Sequence, residues 1–293
     1  MNQANMDLAI TLFEQITHSK VYSIRPIQAD LCNENYLINL QFVIRLKHSY
    51  AIDRDFFSAK EEYQILRDLS ASPLHDILPQ IMGYDPQSGN MLRKYVILTE
   101  EIQEKNGEFL RYLSLIETIK KLHSFQGEYR FVNPILLYNE FKDRLGEEFH
   151  KEYENDVLSR CKQAFSSSPI RPCACHIDPY SFIYDQKRKN TKLTSLEYGG
   201  SSFEIVDIAS ILCENEISPS MKERLINAYY GIKNVTQSKI DDVYAVMELL
   251  DMIGYLHATL RYKEDMEETQ LSLAHKKMGS IRKHIRLFLG KPK

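Results

Sequence analysis

The chain has 293 residues, 43% of them hydrophobic and 26% charged, with a net charge of −3. That length supports two lobes or domains with a real core, and the slightly acidic balance excludes a global basic field that would draw nucleic acid. No run of about eighteen apolar residues marks a membrane-spanning helix, and Met1-Asn2-Gln3-Ala4-Asn5 lacks the basic-then-apolar pattern of a secretion signal, so a cytoplasmic protein is expected.

From the N-terminus, residues 6–18 read as a short amphipathic helix. Val21 to Ile24, Asn35 to Leu40 and Gln41 to Leu46 are β-branched and aromatic runs of strand length. Residues 56–69 place Phe57, Tyr63, Leu66 and Leu69 at roughly helical spacing. Tyr95-Val96-Ile97-Leu98 is wholly apolar and predicts a buried strand. These elements predict a small α+β lobe over residues 1–101. The remainder, 102–293, predicts a mainly helical lobe. Leu110, Leu113, Ile116, Ile119 and Leu122 form one face of a helix over 108–124. One or two charged helices follow over 135–165. A loop at 173–184 leads into a hairpin whose polar turn is Asp185 to Asn190. Helices are expected near 205–215, 219–231, 238–262 and 266–287. The last carries Lys276, Lys277, Arg282, Lys283, His284 and Arg286, and its basic side reads as a solvated face, with an anionic partner as the lesser alternative.

The five cysteines, Cys32, Cys161, Cys173, Cys175 and Cys213, are odd in number and scattered. That argues for reduced structural thiols rather than a disulfide framework. A zinc site at Cys173 and Cys175 lacks its second half.

The segment from Cys175 to Tyr184 (Cys-His-Ile-Asp-Pro-Tyr-Ser-Phe-Ile-Tyr) carries the chemistry. A His-x-Asp ahead of an apolar run suits phosphoryl transfer to a hydroxyl: Asp178 accepts or orients the proton and His176 supports the loop. An Asn five positions after the Asp normally helps to hold Mg²⁺, and that position is Ile183. Seven segments, in order, resemble the choline/ethanolamine kinase family, a branch of the aminoglycoside-phosphotransferase-like group with a protein-kinase-like fold. They are Asn33 to Tyr36, Phe42 to Arg45, Val96 to Glu100, Lys121 to Ser124, Cys175 to Pro179, Leu196 to Gly200 and Phe203 to Asn215. The resemblance runs from about residue 20 to residue 260 and implies a two-lobed α+β kinase fold. It also implies ATP and Mg²⁺ as cofactors and a small amino alcohol as acceptor.

Carried over residue by residue, the resemblance makes Arg45 the phosphate-binding cation, with Glu62 of the following helix as its partner and Glu61 as the alternative. Ile97 and Glu100 fall in the hinge that meets the adenine. The departures gather at the phosphates and the metal. Pro26-Ile27-Gln28-Ala29-Asp30-Leu31 has no glycine to let backbone N–H groups approach a phosphate. Ser181 stands in for the metal-binding Asn, and Ser195 stands where the metal Asp belongs. Glu197, expected on the same strand face as Ser195, is left as a single-carboxylate site, so Mg²⁺ is held weakly or not at all. Asp207 is expected to cap or brace the helix that follows. Tyr198, Glu248 and Tyr255, with Tyr244, Tyr262 and Asp251, are candidates to line an acceptor pocket by cation–π attraction and charge; packing is the plainer role of the tyrosines. Two functions follow. One is an ATP-dependent phosphotransferase acting on an alcohol such as choline or ethanolamine. The other is a catalytically inactive, pseudokinase-like binding module. Nothing in the sequence supports nucleotidyl transfer on the same fold.

Overall fold

The structure, a computed structural model, describes residues 3–27, 33–47, 58–96, 107–185, 188–231, 235–266 and 268–290. In chain order its elements are α1 (Gln3–Thr17), β1 (Ile24–Ile27), β2 (Asn33–Ile38), β3 (Phe42–Lys47), α2 (Ala59–Ser70), a 3-10 turn (His75–Ile77), β4 (Ile81–Tyr84), β5 (Met91–Lys94), α3 (Gly107–Ser124), α4 (Pro134–Leu145) and α5 (Lys151–Ser166). Then follow β6 (Ile170–Cys173), β7 (Phe182–Asp185), β8 (Asn190–Leu193), β9 (Gly200–Phe203), α6 (Ile205–Glu214), α7 (Pro219–Tyr230), α8 (Gln237–Asp265) and α9 (Glu268–Leu289). The chain forms two compact units, Met1–Arg130 with Pro179–Gly200, and Phe131–Asp178 with Ser201–Lys293.

The first unit is built on an antiparallel sheet in the order β1-β2-β3-β5-β4. Side chains alternate across a strand, and the register sorts them sharply. Tyr36, Ile38, Ile44, Leu46 and Leu92 take one face and pack with Ala9 and Phe13 of α1. The other face carries Asn33 opposite Lys47, Asn35 opposite Arg45 and Val43 opposite Arg93. The β2–β3 turn is the three residues Asn39-Leu40-Gln41, the first two with positive φ (51° and 56°). Asn suits that conformation. Its side-chain oxygen also accepts from the backbone N–H groups of Tyr22 (2.7 Å) and Ser23 (3.1 Å), which ties the start of β1 to the turn.

Helix α2 starts at Ser58, whose hydroxyl accepts from the Glu61 N–H (3.2 Å). Glu61 and Glu62 in the first turn suit the positive end of the helix. The β7–β8 hairpin belongs to this unit: the Thr118 hydroxyl of α3 donates to the Thr191 carbonyl (3.1 Å).

Two expectations change in this unit, and one strand is new. The strand expected at Tyr95–Leu98 ends at Lys94, and Ile97 and Leu98 lie outside the described residues. Apolarity alone placed it too late. The strand is instead the mixed Met-Leu-Arg-Lys run that ladders with β3 and β4. Strand β4, with Gly83 beside a register shift, gave no sequence signal. Leu110 is 41% exposed, because the buried face of α3 is set by Tyr112, Leu115, Ile116, Ile119 and Leu122.

In the second unit α8 is packed by α4, α5, α6 and α9. It is long and apolar enough to cross a membrane by length and composition, and 56% of that stretch is buried inside the protein. A helix that is apolar on several sides is what such a central position requires. Helix α9 is not a wholly solvated basic helix: Lys277 is buried and bonds Glu214 (2.8 Å) and Asp251 (2.9 Å).

Candidate functional site

Arg45 sits mid-strand on β3, and one turn into α2 Glu62 meets it. The two form a two-pronged pair, Nη1 to Oε1 at 2.8 Å and Nη2 to Oε2 at 2.7 Å. Both are nearly inaccessible, at 2% and 1% exposure, so the pair is held by geometry and further hydrogen bonds rather than by solvent. Arg45 Nη2 also donates to the Gly89 carbonyl (2.9 Å). Glu62 accepts from the Tyr84 hydroxyl (2.7 Å) and the Leu196 N–H (3.3 Å). Burial alone would push the Arg45 guanidinium down, but Glu62 more than reverses it and keeps the arginine charged. The carboxylate that meets Arg45 is therefore Glu62. Glu61 instead accepts from the Arg130 N–H (3.4 Å).

Two residues along the same strand, Lys47 points to the same face and its ammonium bonds the Glu197 carboxylate. The Asn33 amide, opposite Lys47 on β2, donates to the same Glu197 oxygen (3.3 Å). Burial pushes the Glu197 carboxyl up, but the Lys47 ammonium and Arg45 guanidinium, with the hydrogen bonds from Lys47 and Asn33, hold it below the usual carboxylate range. The strand expected to align Ser195 with Glu197 is absent: β8 ends at Leu193, and Leu196 to Gly199 form a turn closed by the Gly199 N–H on the Leu196 carbonyl (2.8 Å). Tyr198 is half-buried in that turn. Ser181 is buried, and its carbonyl accepts from the Thr194 N–H (2.9 Å).

This donor set does not fit Mg²⁺. The ion demands several oxygen ligands with carboxylate charge among them. Here Glu197 already has its charge matched by an ammonium, and Ser181 and Ser195, which stand at the family's metal-ligand positions, bring only neutral hydroxyls. Lys47 and Asn33 were not anticipated from the sequence. A two-residue period along β3 from Arg45 was the available signal for Lys47.

The loop bearing His176 and Asp178 belongs to the second unit, and its backbone is gripped from below. Asp207, fully buried near the start of α6, accepts from the Ala174 N–H (3.0 Å) and the Cys175 N–H (2.8 Å). The Ser210 hydroxyl accepts from the Ile177 N–H (2.8 Å), and the Asn215 amide donates to the Ile177 carbonyl (3.0 Å). Cys175 has φ of 63°, a left-handed conformation that a non-glycine residue adopts at a cost of about 1–3 kcal/mol. His176 Nε2 and Asp178 Oδ2 are 3.9 Å apart. Asp207 thus braces the loop's own backbone rather than only the following helix.

Of the acceptor candidates in this unit, Glu248 is paired with Arg160 (2.9 Å), so its charge is already matched. Asp251 receives Lys277 (2.9 Å) and the Ser280 hydroxyl (2.6 Å). Tyr255 meets Phe149 edge-on with ring centres 5.9 Å apart. The hinge residues Ile97 and Glu100, and residues 28–31 of the glycine-free segment, lie outside the described residues.

No protein-family model matches this chain, and no curated protein matches it by sequence. Solved structures do match. A choline/ethanolamine kinase family protein from Mesorhizobium loti superposes with a TM-score of 0.76 at 15% identity, covering 96% of this chain and 94% of that one. The choline kinase LicA from Streptococcus pneumoniae gives 0.73 at 14% identity, over 95% and 99% of the two chains. Wild-type aminoglycoside 2'-phosphotransferase-IIIa, in its GDP complex, gives 0.68 at 13% identity, over 96% and 99%. Agreement along nearly the whole chain, at so low an identity, establishes architecture: this protein has the protein-kinase-like α+β fold of the choline/ethanolamine kinases and aminoglycoside phosphotransferases.

Proposed function

We propose that this protein is a nucleotide-binding, pseudokinase-like module on the fold of a small-molecule kinase, and that it does not carry out Mg²⁺-dependent phosphoryl transfer. One observation carries the reading: the Glu197 carboxylate is neutralised by the Lys47 ammonium. A phosphoryl-transfer site needs the charge of its metal ion against the phosphates, and here the acidic group nearest the metal's sequence position is already occupied. Nucleotide binding is supported separately. Arg45, fixed by Glu62, supplies the cation that phosphate oxygens need, and structures with this fold include a LicA complex with AMP and phosphotransferase complexes with GDP.

A second reading, ATP-dependent transfer to a small alcohol such as choline or ethanolamine, is favoured by one feature. The His176–Asp178 loop is braced by Asp207, Ser210 and Asn215 as tightly as a working loop would be. Calorimetric titration of ATP in Mg²⁺ and in EDTA, with ³¹P NMR of the protein, ATP, Mg²⁺ and choline or ethanolamine, separates the two. The expected result is ATP binding of similar strength in both buffers and no phosphorylated alcohol. Product that appears with Mg²⁺ and vanishes in Asp178→Asn establishes the second reading instead.

A further inference from the structure

The face of the first unit's sheet that carries Arg45 and Lys47 carries a third cation, Arg93 on β5. Arg93 lies directly across from Val43 on β3 and Ile81 on β4, with Met91 two residues before it on its own strand. These neighbours are apolar. Arg93 is 7% exposed. Its Nη1 is buried and has no hydrogen-bond partner, and the Nε of Arg45 is in the same condition.

The charges on this face do not balance. Glu62 answers Arg45 and Glu197 answers Lys47, while among the described residues no carboxylate faces Arg93. The Arg45 guanidinium repels it, with Tyr95 acting in the opposite sense. Burial, with that repulsion, pushes the guanidinium down to about 10, so it stays cationic at neutral pH. A buried charge left without a partner is strongly unfavourable, and folded proteins keep one where a counter-ion arrives from outside.

We propose that Arg93 and Arg45 form a binding site for a phosphate-class oxyanion. Arg93 offers several N–H donors in a fixed fork, which suits tetrahedral and planar oxyanions, and Arg45, whose Nη atoms are held by Glu62 and Gly89, adds its Nε–H. The site goes beyond nucleotide binding in general, because a free phosphate and a phosphate group of a nucleotide present the same chemistry to it.

The test uses the full-length protein with inorganic phosphate, sulfate, ATP and adenosine, each against chloride at equal ionic strength. Melting temperature and calorimetric affinity are read for wild type, Arg93→Gln and Arg93→Lys. Wild type is expected to show a saturable rise with phosphate or with ATP. Arg93→Gln should bind the responding anion about tenfold more weakly or worse, while its ligand-free melting temperature stays level or rises. Arg93→Lys, which keeps the charge but not the fork, should fall between them. If ATP binding weakens in Arg93→Gln and adenosine binding does not, the anion is a nucleotide phosphate. If phosphate responds and both nucleosidic probes stay silent, the anion is free phosphate, and the nucleotide reading fails while this one stands. An Arg93→Gln response equal to wild type overturns the site, as does a wild type indifferent to every anion.

Discussion

At the scale of single residues, the buried charges are the points at which a substitution is most costly. Removing one member of a buried ion pair leaves the other uncompensated, which typically costs about 3–5 kcal/mol. Glu62→Gln is therefore expected to destabilise the protein by about that amount in urea unfolding, since Arg45 would lose its counter-charge and one of its two acceptor oxygens, and Tyr84 and Leu196 would lose an anionic acceptor. A change below about 1 kcal/mol would show that the pair is solvated in solution. Arg45 and Glu62 were legible in the sequence through the family resemblance, which implies a phosphate-binding cation on the strand ending at Arg45 and a carboxylate on the helix that follows. Lys47, Asn33 and Arg93 were not. Their importance depends on which strand lies opposite which, and on an acid 150 positions away. Neither is written in local pattern.

At the scale of elements, the loop from Cys173 to Asp178 is held by side chains rather than by a ladder. Asp207 accepts two backbone N–H groups at once, and charged acceptors make the stronger hydrogen bonds. Asp207→Ala should cost about 3 kcal/mol and speed amide exchange at Ala174 and Cys175. Cys175→Gly should act in the opposite sense, or not at all, because glycine accepts a φ of 63° without steric cost. Exchange at those two amides unchanged in Asp207→Ala would remove the brace from the account. The loop itself was readable from its His-x-Asp pattern. Asp207 was expected to brace only the helix that follows; its hold on the loop was not readable, since it lies more than thirty residues downstream.

At the scale of the whole molecule, acid sensitivity should follow from the same pairs. Glu197 and Asp251 are both held below their ordinary values of 4.5 and 3.8: burial opposes this, but Lys47 and Arg45 in one case, and His284, Lys277 and Ser280 in the other, prevail. A carboxyl whose folded value is depressed contributes stability that is complete above its unfolded value and lost as pH falls through the folded one. Stability should accordingly hold from neutral pH to about pH 5 and drop steeply below pH 4. In Glu197→Gln the acid limb should be shallower and the neutral plateau lower. Denaturant midpoints across that range check it, and an unchanged acid limb in the variant would assign the sensitivity to other carboxylates. The division into a strand-rich part and a helical part was visible in hydrophobic periodicity. The return of Pro179–Gly200 to the first unit was not, because only tertiary contacts record it.

That return has a consequence for the way the protein is made. A ribosome delivers Lys47 150 residues before Glu197, an interval of roughly 8–30 s at bacterial and eukaryotic elongation speeds. Until then the nascent sheet lacks Glu197 and the β7–β8 hairpin that seats against α3. The usual vectorial order, in which the leading domain matures first, is closed to this chain: its leading unit is completed only after the first segment of the trailing one, Phe131–Asp178, has already emerged.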